Sequence, residues 1–149
     1  MPTIRITKIF EFEMAHALFG YDGPCKNIHG HSYKLFVTVK GKVKVGSSSP
    51  KSTMVMDFSE LKKIVWENII SKYDHSLVLD ENIPHDLKLA ANKMSEKIIY
   101  VNGMPTCELL TIIFSDILLI KIPTDIKLHH LKLQETATSF AEWFAEENH

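Results

Sequence analysis

Apolar and polar side chains alternate from residue 3 to residue 17. Ile4, Ile6, Phe10, Phe12 and Met14 share one parity, and Thr3, Arg5, Thr7, Glu11 and Glu13 the other. A period of two predicts a long half-buried strand, and His16 carries the parity of its apolar face. After the turn-rich Gly20-Tyr21-Asp22-Gly23-Pro24, a second alternation begins. Tyr33, Leu35, Val37, Val39, Val43 and Val45 lie on one side, and Ser32, Lys34, Thr38, Lys40, Lys42 and Lys44 on the other. His29 and His31 precede that run with the inner parity. Antiparallel pairing of the two strands would therefore bring their inward histidines together at one end.

The pattern then changes period. Asp57-Phe58-Ser59-Glu60 reads as a capping box, and Phe58, Leu61, Val65 and Ile69 recur at helical spacing, which predicts a helix over 58–72. Residues 76–94 read as irregular, with Pro84 interrupting any long element. A short strand is expected over 98–101, and Pro105-Thr106 opens a helix over 107–121. That helix is apolar almost all round, so it should be buried on more than one side, and in so short a chain another subunit is the expected second cover. Ile126, Leu128, Leu131 and Leu133 predict a third long strand, with a bulge at His129-His130 where the parity slips. Glu135 shares the parity of Leu131 and Leu133 and should point inward. The tail beyond Thr136, with Phe140, Trp143 and Phe144, receives no assignment. Strands around paired helices give an α+β class.

Composition narrows the functional classes. The chain has 149 residues with 45% hydrophobic side chains, and one domain over 1–149 is expected, without repeats or a dividing linker. Gly46-Ser47-Ser48-Ser49-Pro50-Lys51-Ser52 is the only low-complexity stretch and reads as an exposed loop. Seventeen basic and eighteen acidic residues leave a net charge of −1, which argues against nucleic-acid binding by bulk charge and against an electrostatic membrane anchor. No apolar run exceeds four residues, so no membrane span is expected. The N-terminus lacks the apolar core of a signal peptide, and two cysteines make no disulfide framework; a cytoplasmic, reduced protein is the expectation. There is no phosphate-binding loop, and the lysines are too scattered to nominate an anion site.

Eight histidines are unusual at this length. His16, His29 and His31 converge from two strand ends, and three imidazoles with a vacant fourth position suit a catalytic Zn²⁺, or equally iron or nickel. Cys25, four residues before His29, reads in three ways: a thiolate for proton abstraction or attack, a fourth ligand closing the site, or an inert loop thiol. Asp74-His75 offers a carboxylate that could orient a proton-relaying imidazole, or merely a polar helix end. Glu135 needs partners if buried; it suits the N–H pair of an aminopyrimidinone ring, or lysine and backbone donors, since Arg5 is the only arginine.

These residues resemble a known family. Phe12-Glu13-Met14-Ala15-His16 and Cys25-Lys26-Asn27-Ile28-His29-Gly30-His31-Ser32-Tyr33 are similar to the F-x-A-A-H and C-x-x-x-H-G-H-[NS]-[YF] segments of the 6-pyruvoyl-tetrahydropterin / 6-carboxy-tetrahydropterin synthases. Met56-Asp57-Phe58, Asp74-His75, Pro105-Thr106-Cys107-Glu108 and Glu135-Thr136 match further landmarks in order. Cys107 departs from the usual Ala or Ser. The resemblance implies the tunnelling fold, a ββααββ antiparallel sheet with two helices on one face, whose copies close a barrel and stack as a homohexamer of two trimers. It implies Zn²⁺ on His16, His29 and His31, a catalytic Cys25 with Asp74 and His75, and a pterin held by Glu135, with Thr106 and Glu108 nearby, in sites between subunits. The implied substrate is 7,8-dihydroneopterin triphosphate. The short spacing from Cys25 to His29 resembles the carboxy synthases of the queuosine (7-deazaguanine) pathway, which release triphosphate and acetaldehyde. A 6-pyruvoyl product, a retro-aldol reaction, and a non-catalytic zinc- or pterin-binding module are the alternatives.

Overall fold

The structure is a computed structural model and describes residues 1–148. Its centre is the antiparallel pair β1 (Thr3–His16) and β2 (His29–Lys42), in register from Thr3 opposite Lys42 to His16 opposite His29. β2 starts earlier than the alternation alone suggests and takes both histidines into the ladder; it ends before Val45, which is exposed. β5 (Lys127–Thr136) pairs antiparallel with β2, and β6 (Ser139–Phe144) with β5. The β2–β5 register slips at Thr38/Val39, so that His129 is the extra residue of the expected bulge.

The sheet is larger and more mixed than the pattern predicts. Residues 76–94 are not irregular: they form β3 (Ser76–Asp80) and a helix, α3 (His85–Met94). β3 joins β1 in parallel over Met14–His16, and β4 (Ile98–Val101) joins β3 in parallel, giving the order β4-β3-β1-β2-β5-β6. The reason is burial on both sides. Val78 enters the main core, whereas Leu77 and Leu79 pack with Ala17, Ile83 and Ala91 of α3 in a second cluster. Such a strand shows a continuous apolar run with no alternation. Pro84 begins α3 instead of breaking an element, because a proline at a helix start gives up no needed N–H. The tail is β6, whose Trp143 is buried.

The inner face of β1, β2 and β5 is covered by two helical elements. The first is α1 (Phe58–Val65), a π-helical stretch Trp66–Ile70, and the short α2 (Ser71–Tyr73); Asp57 caps it through the Ser59 N–H. The second is α4 (Cys107–Lys121), capped by Thr106, which accepts from the Leu109 N–H. Phe12, Tyr33, Leu35, Leu61, Ile69, Phe114, Leu118 and Leu131 form the core between them. Ile112, Leu119 and Ile120 of α4 remain exposed, so its excess apolar surface is unmet within one chain. Among the described residues no helix is long and apolar enough to cross a membrane.

Candidate metal centre and its cavity

His16 closes β1 and His29 and His31 open β2, so the antiparallel register sets all three on the inner face at one end of the sheet. Each offers a ring nitrogen within 4.8 Å of the others. Two of these rings are oriented from behind. His16 Nδ1–H donates to the Pro105 carbonyl at 2.7 Å, and His29 Nδ1–H to the Asn27 carbonyl at 2.7 Å. A carbonyl can only accept, so both rings carry a proton on Nδ1 and turn Nε2 inward. Those two Nε2 atoms stand 3.0 Å apart. Two lone pairs at that distance repel unless a proton or a cation lies between them. Burial holds His16 below the ordinary histidine range, against the opposing pull of the Pro105 carbonyl and Glu135, which favours a neutral ligand over an imidazolium. Tetrahedral nitrogen ligands of zinc stand roughly 3.3 Å apart, so the three rings could hold a metal with little movement.

Glu135 faces the same cluster. Its Oε1 lies 3.6 Å from His16 Nε2 and 3.8 Å from His31 Nε2, and it accepts from the Tyr33 hydroxyl at 3.4 Å. The β5–β6 ladder slips between Gln134 and Thr136, at the position of Glu135. A cavity of about 190 Å³ adjoins the histidines, and His16, Cys25, Thr106, Glu108 and Glu135 all line it. Cys25 reaches it from the 3-10 turn Pro24–Lys26, which the Leu18 N–H ties back by donating to the Cys25 carbonyl at 3.0 Å. Thr106 and Glu108 arrive on the first turn of α4.

Asp74 and His75 are not in that cavity. They follow α2 beside the end of β1, where His75 lines a separate depression of about 340 Å³ with Glu13, Ala15, Gly30 and Ser32; His31 of the histidine cluster also borders it. Asp74 Oδ1 accepts from the Glu13 N–H at 2.9 Å and lies 3.1 Å from His75 Nδ1. Its burial opposes ionisation, but the Glu13 N–H and His75 outweigh that and hold the carboxyl below its usual range. His75 itself has φ 61, a left-handed conformation that a non-glycine residue adopts at a cost, and its N–H is anchored on the Glu13 carbonyl. The imidazole is three-quarters exposed. Within one chain, then, seven of the nine residues singled out from sequence meet: five line the cavity, and His29 and His31 join His16 beside it, while Asp74 and His75 stand apart from that cavity.

Several contributors have no signal in the sequence reading. The carbonyls of Pro105 and Asn27 are backbone groups that no residue type marks. Ser139 and Phe140 wall the cavity from β6, and the aromatic at 140, close behind Glu135, was the available hint. Cys107 lines the same cavity; burial, with Glu135 beside it, pushes its thiol up to about 12, so it stays protonated and donates to the Leu133 carbonyl.

The family profile described as 6-pyruvoyl tetrahydropterin synthase matches residues 5–146. The chain belongs to that family. Among its relatives, the 6-carboxy-5,6,7,8-tetrahydropterin synthase of Haemophilus influenzae is 37% identical over 142 residues, covering 93% of this chain and 97% of its own. The protein of the same name from Aquifex aeolicus is 36% identical, covering 93% and 96%. Of solved structures, the 6-pyruvoyl tetrahydropterin synthase of Caenorhabditis elegans superposes with a TM-score of 0.70 at 22% identity, over 97% of each chain. An uncharacterized Wolinella succinogenes protein reaches 0.77 at 19% identity, over 97% and 99%. These likenesses establish the α+β tunnelling fold of the family.

Proposed function

We propose that this protein is a metal-dependent 6-carboxy-5,6,7,8-tetrahydropterin synthase that converts 7,8-dihydroneopterin triphosphate to 6-carboxytetrahydropterin, releasing triphosphate and acetaldehyde in the queuosine (7-deazaguanine) pathway. The observation that carries the reading is the pair of back-braced Nε2 atoms 3.0 Å apart, next to a cavity that holds both a thiol and a carboxylate. The 37% and 36% identical relatives that bear the 6-carboxy name support this product. The family profile bears the 6-pyruvoyl name, which keeps that product as the second reading.

His16, His29 and His31 would hold the ion, and zinc suits three neutral imidazoles. Bound there, a zinc ion would supply Lewis acidity to the oxygens of the substrate side chain. Glu135, held by Tyr33, accepts N–H donors of the pterin ring, with Thr106 and Glu108 at the cavity wall. The Cys25 thiolate removes a proton from the side-chain carbon beside the ring. Asp74 holds His75 Nδ1 so that the opposite ring nitrogen is free to return one. Because Asp74 and His75 do not line the cavity that Cys25 lines, we assign them to the site of a neighbouring copy. Three observations support such an assembly. The one-chain cavity of about 190 Å³ falls below the roughly 300 Å³ at which ligand pockets begin. The outer edges of β6 and of most of β1 have no partner strand among the described residues. Apolar side chains of α4 remain exposed. Closure of those edges in a homohexamer of two trimers would complete the sites.

Incubation of zinc-loaded protein with 7,8-dihydroneopterin triphosphate, followed by mass analysis of the pterin, tests the reading. A 6-carboxy product with acetaldehyde is expected, and removal of the metal by a chelator should abolish turnover until zinc is restored. A 6-pyruvoyl product would transfer the protein to the second reading. Metal-replete protein without turnover would make it a zinc- or pterin-binding module.

A further inference from the structure

At the far end of the same strands lies a larger and differently charged cavity. The rung Thr3–Lys42 is thirteen residues from the rung His16–His29, so at about 3.3 Å per residue the two ends of the pair are roughly 40 Å apart. The cavity there has a volume of about 780 Å³. Lys42 and Lys44 line it from the end of β2 and beyond, Lys51 from the serine-rich loop, and Lys127 from the start of β5. Asp125 is the one carboxylate in the wall. Lys40 also lines it but is paired with Glu146 at 3.3 Å. Among the described residues none of the other four lysines lies within ion-pair distance of a carboxylate. Asp57 feels the charge of Lys51, but its carboxylate is engaged by Ser59.

The fold, not the composition, creates this concentration of charge, since the chain as a whole carries −1. The loop between β2 and α1 is held by its own backbone: the Lys44 N–H donates to the Ser52 carbonyl at 2.8 Å, and the Ser52 N–H to Ser49. Gly41 lets that loop close onto the start of β5, because a Cβ there would stand 3.0 Å from Val55 Cγ1 and 3.2 Å from Ile126 Cδ1. Lys127 is thereby drawn to the lysines of β2. Ser47, Ser49 and Ser52 add hydroxyl donors to the wall. Four ammonium groups around one concavity repel one another unless an anion joins them. A single orthophosphate would leave much of this charge unmet, whereas a chain of phosphates spans the lysines and takes the hydroxyl donors as well.

We propose that this cavity is a binding site for a linear polyphosphate group, either free or as the phosphate chain of a nucleoside triphosphate, separate from the metal centre of the same chain. The inference stands independently of the function assigned to that centre.

Equilibrium dialysis of the full-length, metal-loaded protein against labelled tripolyphosphate tests it, with orthophosphate and ATP in parallel. Saturable binding of tripolyphosphate, tighter than that of orthophosphate, is expected. Lys44→Gln with Lys127→Gln should weaken it by about tenfold or more, two charge-assisted contacts being lost. Lys62→Gln with Lys63→Gln, which removes the same charge from the exposed face of α1, should change it less than about twofold. ATP binding more tightly than tripolyphosphate would identify the nucleotide as the ligand; equal affinities would identify the phosphate chain alone. Absence of saturable binding overturns the proposal, as does equal weakening by the control pair. Loss of binding in His31→Ala would do the same, by locating the anion at the histidine cluster.

Discussion

Tyr33 joins the core to the site through two groups on one side chain. Its ring stacks on Phe12 at 5.4 Å, and its hydroxyl donates to Glu135 at 3.4 Å. Burial first, and then the neighbouring Glu135 charge, keep that hydroxyl protonated, so it remains a donor at any working pH. Tyr33→Phe should retain the ring packing and lose only the hydrogen bond, at a cost of about 1 kcal/mol in urea denaturation. Zinc content should not change; a variant that no longer took up metal would show that the hydroxyl supports the histidines and not Glu135. Asp74 makes a separate prediction. Its native carboxyl lies below the ordinary value of 3.8. Its stabilising effect is therefore complete above that value and fades as the pH falls through the lower native one. The stability gap between the protein and Asp74→Asn should be widest near neutrality and close in acid. An unchanging gap down to pH 2 would show that the Glu13 N–H bond does not depend on charge.

At the scale of elements, the start of α4 does two things at once. Thr106 caps the helix through the Leu109 N–H at 3.2 Å, and the preceding Pro105 carbonyl orients His16. Thr106→Ala should cost about 1 kcal/mol of thermal or denaturant stability. Thr106→Ser should recover most of it, and weakened metal binding in the Ala variant alone would show that the cap also sets the position of the carbonyl. This start was legible from Pro105-Thr106, because capping is local chemistry. So were β1 and β2, whose one-sided burial writes an alternation into the chain. β3 was not legible, since Leu77, Val78 and Leu79 are all buried and their run has no period. β6 was missed for another reason: an edge strand with exposed Ser139 and Phe140 carries little pattern until β5 is beside it.

At the scale of the whole molecule, the separation of Cys25 from Asp74 and His75 gives the sharpest prediction. Under the proposed assembly, Cys25→Ala and His75→Ala are each inactive alone. Refolded together in equal amounts they should regain about a quarter of full activity, because random pairing joins an intact Cys25 to an intact His75 in that share of shared sites. Mixtures that stay inactive would mean that each chain carries its own complete site after rearrangement.

The order of residues was enough for whatever rests on local periodicity and side-chain chemistry. It set the two long strands, the capped helices, the bulge at His129 and the convergence of His16, His29 and His31, since parity along neighbouring strands decides which side chains share a face. Long-range packing chose which faces meet which. It placed β3 between β1 and β4, left His75 outside the cavity that Cys25 lines, braced the rings of His16 and His29 on the carbonyls of Pro105 and Asn27, and gathered Lys42, Lys44, Lys51 and Lys127 around one cavity. Each of these depends on contacts between residues far apart in the chain or on backbone groups common to every residue, and neither leaves a local pattern to read.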